Sequence, residues 1–245
     1  MHMRVEWWHP HFANASGITA ISGARFFSAI LPVGERVAFA FEVPFARAKM
    51  PATATTPEYA DASMGNWYLG LRFGDSLEPT AFVGEIGARL PATSDDAVLS
   101  TTVGTIADPE RLEAFLPNSN SVSIAGNVVA RREHDVGRLR LGVTQIFSNA
   151  YSGVGNHTLI DYGVSTSHEI ERLRLAGALT GRLATTSDGP FGERSSHVAT
   201  GAASIVLGAF RPSLSLRVPF EHGMRRLAPW TLGIGVEVSP RGKRC

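Results

Sequence analysis

The sequence predicts an all-β protein: an antiparallel, up-and-down transmembrane β-barrel of about twelve strands, with short turns on one side and long loops on the other. Three observations carry this prediction. Large apolar residues recur at every second position along most of the chain. The connections between these segments alternate in length, short then long. The residues between the apolar ones are mainly Gly, Ala, Ser and Thr with isolated Arg and Glu, unlike the Lys/Glu-rich coat of a soluble surface.

The elements follow in order. Residues 4–8 form the first, shortest strand, and 17–30 the second, with an indistinct period. In 36–47 the period is sharpest: Val37, Phe39, Phe41, Val43 and Phe45 alternate with Arg36, Ala38, Ala40, Glu42, Pro44 and Ala46. Successive strand side chains point to opposite faces, so one face is apolar and the other small or charged. Trp67, Leu69, Leu71 and Phe73 oppose Tyr68, Gly70 and Arg72. Phe82, Ile86 and Leu90 oppose Val83, Glu85, Gly87 and Arg89, and Val122, Ile124 and Val128 oppose Ser121, Ser123, Asn127 and Arg131. Leu139, Leu141, Val143 and Phe147 oppose Arg138, Arg140, Gly142 and Thr144. Ile160, Tyr162 and Val164 oppose Asp161, Gly163 and Ser165. Leu173, Leu175, Leu179 and Leu183 oppose Arg174, Ala176, Ala178, Thr180 and Arg182. Segment 197–208 is again indistinct. Leu214, Leu216, Val218 and Phe220 oppose Ser215, Arg217, Pro219 and Glu221, and Leu232, Ile234, Val236 and Val238 oppose Thr231, Gly233, Gly235 and Glu237.

Short connections near 32–35, 75–80, 133–137, 167–172 and 209–212 carry the residues of hairpin turns. Long ones lie near 47–64, 91–118, 149–157, 184–196 and 222–229. Residues 108–116 read as a helical turn, with Asp108 as N-cap and Pro109 at the first helical position. The whole chain, 1–245, is expected to form this one domain.

Composition narrows the classes. Lys plus Arg number 23 against 22 Asp plus Glu, a net charge of +1, which argues against nucleic-acid binding through bulk charge. Charged residues are only 18%, and 44% apolar residues are too many for a disordered chain. The single cysteine, Cys245, excludes an internal disulfide framework and cysteine-based metal centres. No apolar run is long enough for a transmembrane helix. The first residues, Met1 to Trp8, have no basic segment and apolar stretch of a secretory leader, so either the leader is missing from this sequence or the chain stays in the cytosol. Of the cations, 21 are Arg and two, Lys49 and Lys243, are Lys; Arg is the cation suited to multi-bonded carboxylate pairs in confined places.

Period two alone does not orient the barrel. Three arguments turn the apolar face outward, toward lipid. Twelve strands enclose a space too wide for side chains alone to fill. The opposite face is small and sparsely charged. Strands of about ten residues, rising ~3.3 Å each and tilted ~40°, span roughly 25 Å, the height of an outer-membrane apolar band. Phe45, Trp67, Phe73, Phe82, Phe147, Phe220 and Trp230 near strand ends suit an interfacial girdle.

Segments 37–44 (VAFAFEVP), 67–73 and 85–91 (EIGARLP) resemble bacterial outer-membrane transporter-like barrels of the group associated with phenol degradation and hydrophobic-compound uptake. The resemblance is one of style over most of the chain. It implies a barrel in the bacterial outer membrane and supplies no residue-level site. The chain departs from the group in lacking a leader and a terminal aromatic residue, ending Pro-Arg-Gly-Lys-Arg-Cys.

With this orientation Glu42, Arg72, Glu85, Arg89, Arg138, Arg140, Asp161, Arg174, Arg182, Arg217, Glu221 and Glu237 face the lumen. They form either an Arg–carboxylate network that plugs and stiffens the barrel or a polar pathway with a positive bias for anionic or amphipathic solutes. His9-Pro10-His11, Ser94-Asp95-Asp96, Ser187-Asp188-Gly189 and Gly153-Val154-Gly155 read as loops, so no metal and no cofactor is expected. His157, His168, His197 and His222 lie near strand ends without a paired nucleophile, and no enzymatic activity is expected. The expected function is a passive channel or transporter-like pore for small solutes, with 91–118 gating or covering the outer mouth. The partners are then the lipid bilayer and a small solute, and no nucleic acid. Two alternatives remain: a non-conducting structural or adhesion barrel, and a soluble barrel holding an apolar ligand inside.

Overall fold

In the computed structural model, the structure describes residues 1–13, 22–52, 54, 57–74, 79–148, 155–186 and 188–239. The strands are β1 (His2–His11), β2 (Gly23–Pro32), β3 (Val37–Met50), β4 (Tyr59–Met64), β5 (Trp67–Phe73), β6 (Thr80–Leu90), β7 (Ser119–Arg132), β8 (Asp135–Ser148), β9 (His157–Ile170), β10 (Leu173–Ala184), β11 (Ser195–Ile205), β12 (Phe210–Pro219) and β13 (Trp230–Val238). Each pairs antiparallel with its neighbours in sequence, and β1 pairs with β13, which closes the ring. β4 and β5 share one place in it: β3 pairs with β4 through Phe45–Met50 and with β5 through Val37–Glu42. The ring therefore has twelve strand positions, and it closes on itself through β1 and β13, as a barrel in lipid requires; among the described residues β4 pairs on one edge, with β3.

The apolar face points out. Phe39, Phe41, Leu175 and Leu216 are 51%, 37%, 44% and 45% exposed, and Ile124, Leu139 and Leu141 more so. Water would not tolerate so continuous an apolar belt, which excludes the soluble barrel with a greasy interior. Trp67, Phe73, Phe82, Phe147 and Phe220 lie exposed at strand ends, while Phe45 packs edge-on to Phe27 and Trp230 stacks on His11.

Two expectations about 91–118 are corrected. The segment does not cover the mouth from outside; it folds into the barrel. It also holds a helix that the periodicity did not reveal, α1 (Val98–Ala107), followed by a 3-10 turn, Pro109–Ala114. Pro109 opens that turn, but the Asp108 side chain makes no cap bond because two arginines claim it. The start of α1 is capped from the wall: the Asp61 carboxylate on β4 accepts the Leu99 and Ser100 N–H groups at 3.1 and 2.8 Å.

The inserted segment explains why the first strands read poorly. Trp8, Ala24 and Phe26 turn inward and pack with Ala46, Ala107, Ala114 and Phe115. The inner face of β1 and β2 thus carries large apolar side chains beside Arg4, Glu6 and Ser28, and the period-two contrast with the lipid face is weakened. Residues 17–21 of the expected second strand lie outside the described residues. Near the long-loop rim α1 meets α3 (His222–Leu227) through Phe12, Ala48, Val103, Ile106 and Ala228, with Leu99 and Met224 beside them. A short α2 (Phe191–Arg194) precedes β11.

Candidate functional site

The lumen contains two charged regions. The first joins the inserted segment to the wall. Arg111 binds Glu42 on β3 at 2.5 Å, Glu6 on β1 at 3.2 Å and its own neighbour Asp108 at 2.5 Å. Arg217 on β12 binds Asp108 at 3.0 Å and Glu110 at 3.1 Å. Arg182 on β10 bridges Glu113 at 2.7 Å and Asp161 on β9 at 2.5 Å. Arg89 on β6 bridges Glu42 at 2.8 Å and Glu113 at 3.5 Å. Three guanidinium groups also lie on aromatic faces, Arg111 over Phe26, Arg217 over Trp8 and Arg89 over Tyr68, at 3.6, 3.5 and 5.3 Å from the ring centroids.

This lattice is buried, and its charges survive burial because they are paired. Burial pushes the Asp108 carboxyl upward, but Arg111 and Arg217 beside it outweigh that and bring it down to about 2. Burial acts likewise on Glu113, and Arg182 and Arg89 overcome it to hold the group below its ordinary range. Burial alone would lower Arg111, whereas Asp108, Glu42 and Glu6 hold it well above its usual value.

One uncharged residue fastens the same segment. Asn66, between β4 and β5, is fully buried. Its amide N–H groups donate to the carbonyls of Glu113 and Leu116 at 2.9 and 2.8 Å. Its amide oxygen accepts from Ala92 N–H at 2.9 Å and from Thr93 N–H and hydroxyl at 3.1 and 2.9 Å. Gly65 before it has no room for a side chain, since a Cβ there would meet Pro44, the Phe115 ring and the Ala114 carbonyl.

The second region lies toward the short turns, the periplasmic side in outer-membrane barrels. Arg72 pairs with Glu85, which also takes the Tyr68 hydroxyl. Arg174 donates to Ser167 Oγ at 2.8 Å. Arg138 lies within electrostatic reach of Arg72, Arg131, Arg140 and Arg174. Among the described residues, no carboxylate lies within ion-pair distance of Arg138, Arg140 or Arg174. A recess of about 160 Å³ opens between Arg138 and Arg174. Glu237, on the lumen face of β13, accepts from Ser239 at 3.1 Å and lies 3.7 Å from His2.

Glu221 is a correction. It follows the end of β12 and turns to the outer face of the rim, where it accepts from His197 N–H at 2.5 Å and binds His197 Nδ1 at 2.9 Å. Nε2 of the same ring meets the Tyr162 hydroxyl at 2.7 Å. Tyr162, Gly181 and His197 form one cross-strand row, and the Tyr162 ring lies flat over Gly181, filling the space a Cβ would take. The chain leaves its strand before reaching Glu221, so alternation no longer governs that side chain.

The other flagged residues serve local structure. His9 Nδ1 bonds the Ser22 carbonyl at 2.7 Å, His11 stacks on Trp230, and His168 meets Asp135 at 2.8 Å. His157 faces the Thr186 hydroxyl at 3.4 Å, and His222 opens α3. Asp95 accepts from Asn118, and Asp96 N–H donates to Ser94. Ser187, Gly153 and Val154 lie outside the described residues. The sequence reading did not assign Glu6, Asn66, Asp108, Glu110, Arg111 or Glu113 to the lumen. The available signal was the charged run Asp108-Pro109-Glu110-Arg111-Leu112-Glu113 inside an otherwise polar loop.

No protein-family model and no curated sequence matches the chain. Solved structures do. The KdgM porin in complex with disordered oligogalacturonate superposes with a TM-score of 0.60 at 6% identity, covering 98% of this chain and 100% of that one. The NanC porin gives 0.63 at 6% identity over 97% and 99%. The outer-membrane channel from Pseudomonas putida F1 gives 0.62 at 12% identity over 97% and 94%. The fold is that of the twelve-stranded outer-membrane channels. At these identities the likeness concerns the backbone, and the lumen must be read from this chain's own residues.

Proposed function

We propose that the chain is a passive channel for small polar solutes in the bacterial outer membrane, with a preference for anions. The observation that carries this reading is the closed ring itself, apolar outside and charged within. A barrel meant only to be filled would need no surplus cations. Here the segment's Asp108, Glu110 and Glu113 go to Arg89, Arg111, Arg182 and Arg217, while among the described residues no carboxylate lies within ion-pair distance of Arg138, Arg140 or Arg174. Ser165 on β9 and Thr200 on β11 are half-buried on the lumen side and offer hydroxyls to a passing polar solute. The oligogalacturonate of the KdgM complex, an acidic solute, supports the same reading.

The arginine-rich inner lumen favours polar anions over the apolar compounds that the resemblance to the hydrophobic-uptake group implies. A second reading, a non-conducting barrel, is favoured by one observation: the buried ion-pair lattice locks the segment across part of the lumen. Reconstitution into planar bilayers decides between them. A channel gives discrete current steps with a reversal potential on the anion side in a salt gradient; a sealed barrel gives neither current nor liposome swelling.

A further inference from the structure

The recess in the inner lumen is built from four consecutive strands, β8 to β11, whose contributions alternation alone would not bring together. Arg138 on β8 and Arg174 on β10 form its charged rim. Ser165 and Ser167 on β9 and Thr200 on β11 supply hydroxyls. Ala176, Ala178 and Ala202 keep its floor low, so that space of about 160 Å³ is left between the arginines. Register explains the assembly: Arg138 pairs across with Ser165, Ala178 with both Ser165 and Thr200, and Arg174 lies two alternations nearer the short-turn rim and reaches back to Ser167.

Two features of this recess call for a ligand. Arg138 and Arg174 repel one another across it, and Arg138 also feels Arg72, Arg131 and Arg140. Arg72 is answered by Glu85, and Glu169 and Glu237 act on Arg174 from a distance, but among the described residues no carboxylate lies within ion-pair distance of Arg138 or Arg174, so an entering anion stabilises both. Further, the Ser165 and Thr200 hydroxyls have no protein partner among the described residues, in contrast to Ser167, which Arg174 already engages. Free hydroxyls beside paired guanidinium groups match a solute that carries both an oxyanion and hydroxyl groups.

From this juxtaposition we propose that the recess is a binding site for a small, hydroxylated organic anion, with Arg138 and Arg174 holding the oxyanion and Ser165 and Thr200 reading the hydroxyls. The proposal rests on the lumen being the solute path. The oxyanion is either a carboxylate or a phosphate ester, since guanidinium accommodates both. The site then acts as a weak, saturable stop in the inner half of the channel, past the inserted segment.

The test uses the full chain in planar bilayers carrying a chloride current, with glucuronate, glucose 6-phosphate, acetate and glucose as probes, and calorimetry on the detergent-solubilised barrel. Expected is a saturable block by glucuronate or glucose 6-phosphate, whichever wins naming the oxyanion, with acetate weaker and glucose inert. Arg138→Ala and Arg174→Ala should each raise the half-blocking concentration roughly tenfold or more. Ser165→Ala combined with Thr200→Val should raise it for the hydroxylated probes and leave acetate unchanged. Arg174→Lys keeps the charge but loses the fork, and should fall between wild type and alanine. Heat-modified mobility on gels checks that each variant is folded. Equal block in wild type and both alanine variants would overturn the site, as would equal block by acetate and glucuronate. Binding by calorimetry without any chloride current would sink the channel and leave the site standing.

Discussion

The two charged regions of the lumen are built from the same wall residue and end in opposite conditions. Around the inserted segment, Arg89, Arg182 and Arg217 each meet carboxylates, three of which (Asp108, Glu110 and Glu113) arrive on the segment itself. Toward the short turns, Arg138, Arg140 and Arg174 meet mainly one another and hydroxyls. An arginine on a barrel wall is therefore structural or solute-facing according to what the loops deliver to it. The first region closes space; the second leaves it open and charged.

The largest effect should come from breaking the paired region at Arg111. Its replacement by Ala leaves Glu6, Glu42 and Asp108 buried without their shared cation, at a cost of about 3–5 kcal/mol. The segment should leave the lumen, with higher single-channel conductance and a lower unfolding temperature on semi-native gels. Unchanged conductance would show that Trp8, Phe26 and Phe115 hold the segment without the ion pairs.

Acid should separate the regions next. The Asp108 carboxyl sits below its free value of 3.8, at about 2, so its contribution is complete above 3.8 and is lost as pH falls through about 2. Conductance should stay flat from neutral pH down to 3.8 and rise only below it. A rise already at pH 6 would assign the latch to a histidine instead.

Arg140→Glu probes the open region. It should shift the reversal potential toward cations by a factor of a few in permeability ratio, an effect shrinking in salt as the ~8 Å screening length shortens. Thermal stability should hardly move, because Arg140 has no ion pair to lose among the described residues. A large loss of stability would make the inner arginines structural after all. The smallest effect is outside the lumen: Tyr162→Phe removes one hydrogen bond to His197, about 1 kcal/mol, and should leave conductance unchanged. A change in current would tie the outer rim to gating.

The barrel was legible because lipid and lumen impose period two on every strand that has lipid on one side and water on the other. Residues 37–45 show it, and so do 138–147. The reading failed where a third environment intervened. Trp8 and Phe26 pack on the inserted segment, so the inner face of β1 and β2 is apolar in part and the contrast between faces is weak. On β11 both faces are small, as Ala199, Gly201, Ala202 and Ala203 show, and no contrast remains. The placing of Asn66 and Arg111 depends on contacts 47 to 105 residues away in the chain, and no local pattern encodes those.

The amino-acid order by itself determined most of the strands and the outward turn of their apolar face, because alternation is a local property that solvent and lipid enforce residue by residue; it did not reveal β4, which lies in the stretch that reads as a long loop. Only the folded ring decided where 91–118 goes, and with it which arginines are neutralised. Pairing between charges is set by distance in space, and the closure of β1 on β13 is what brings Glu6, Glu42, Arg182 and Arg217 around one loop.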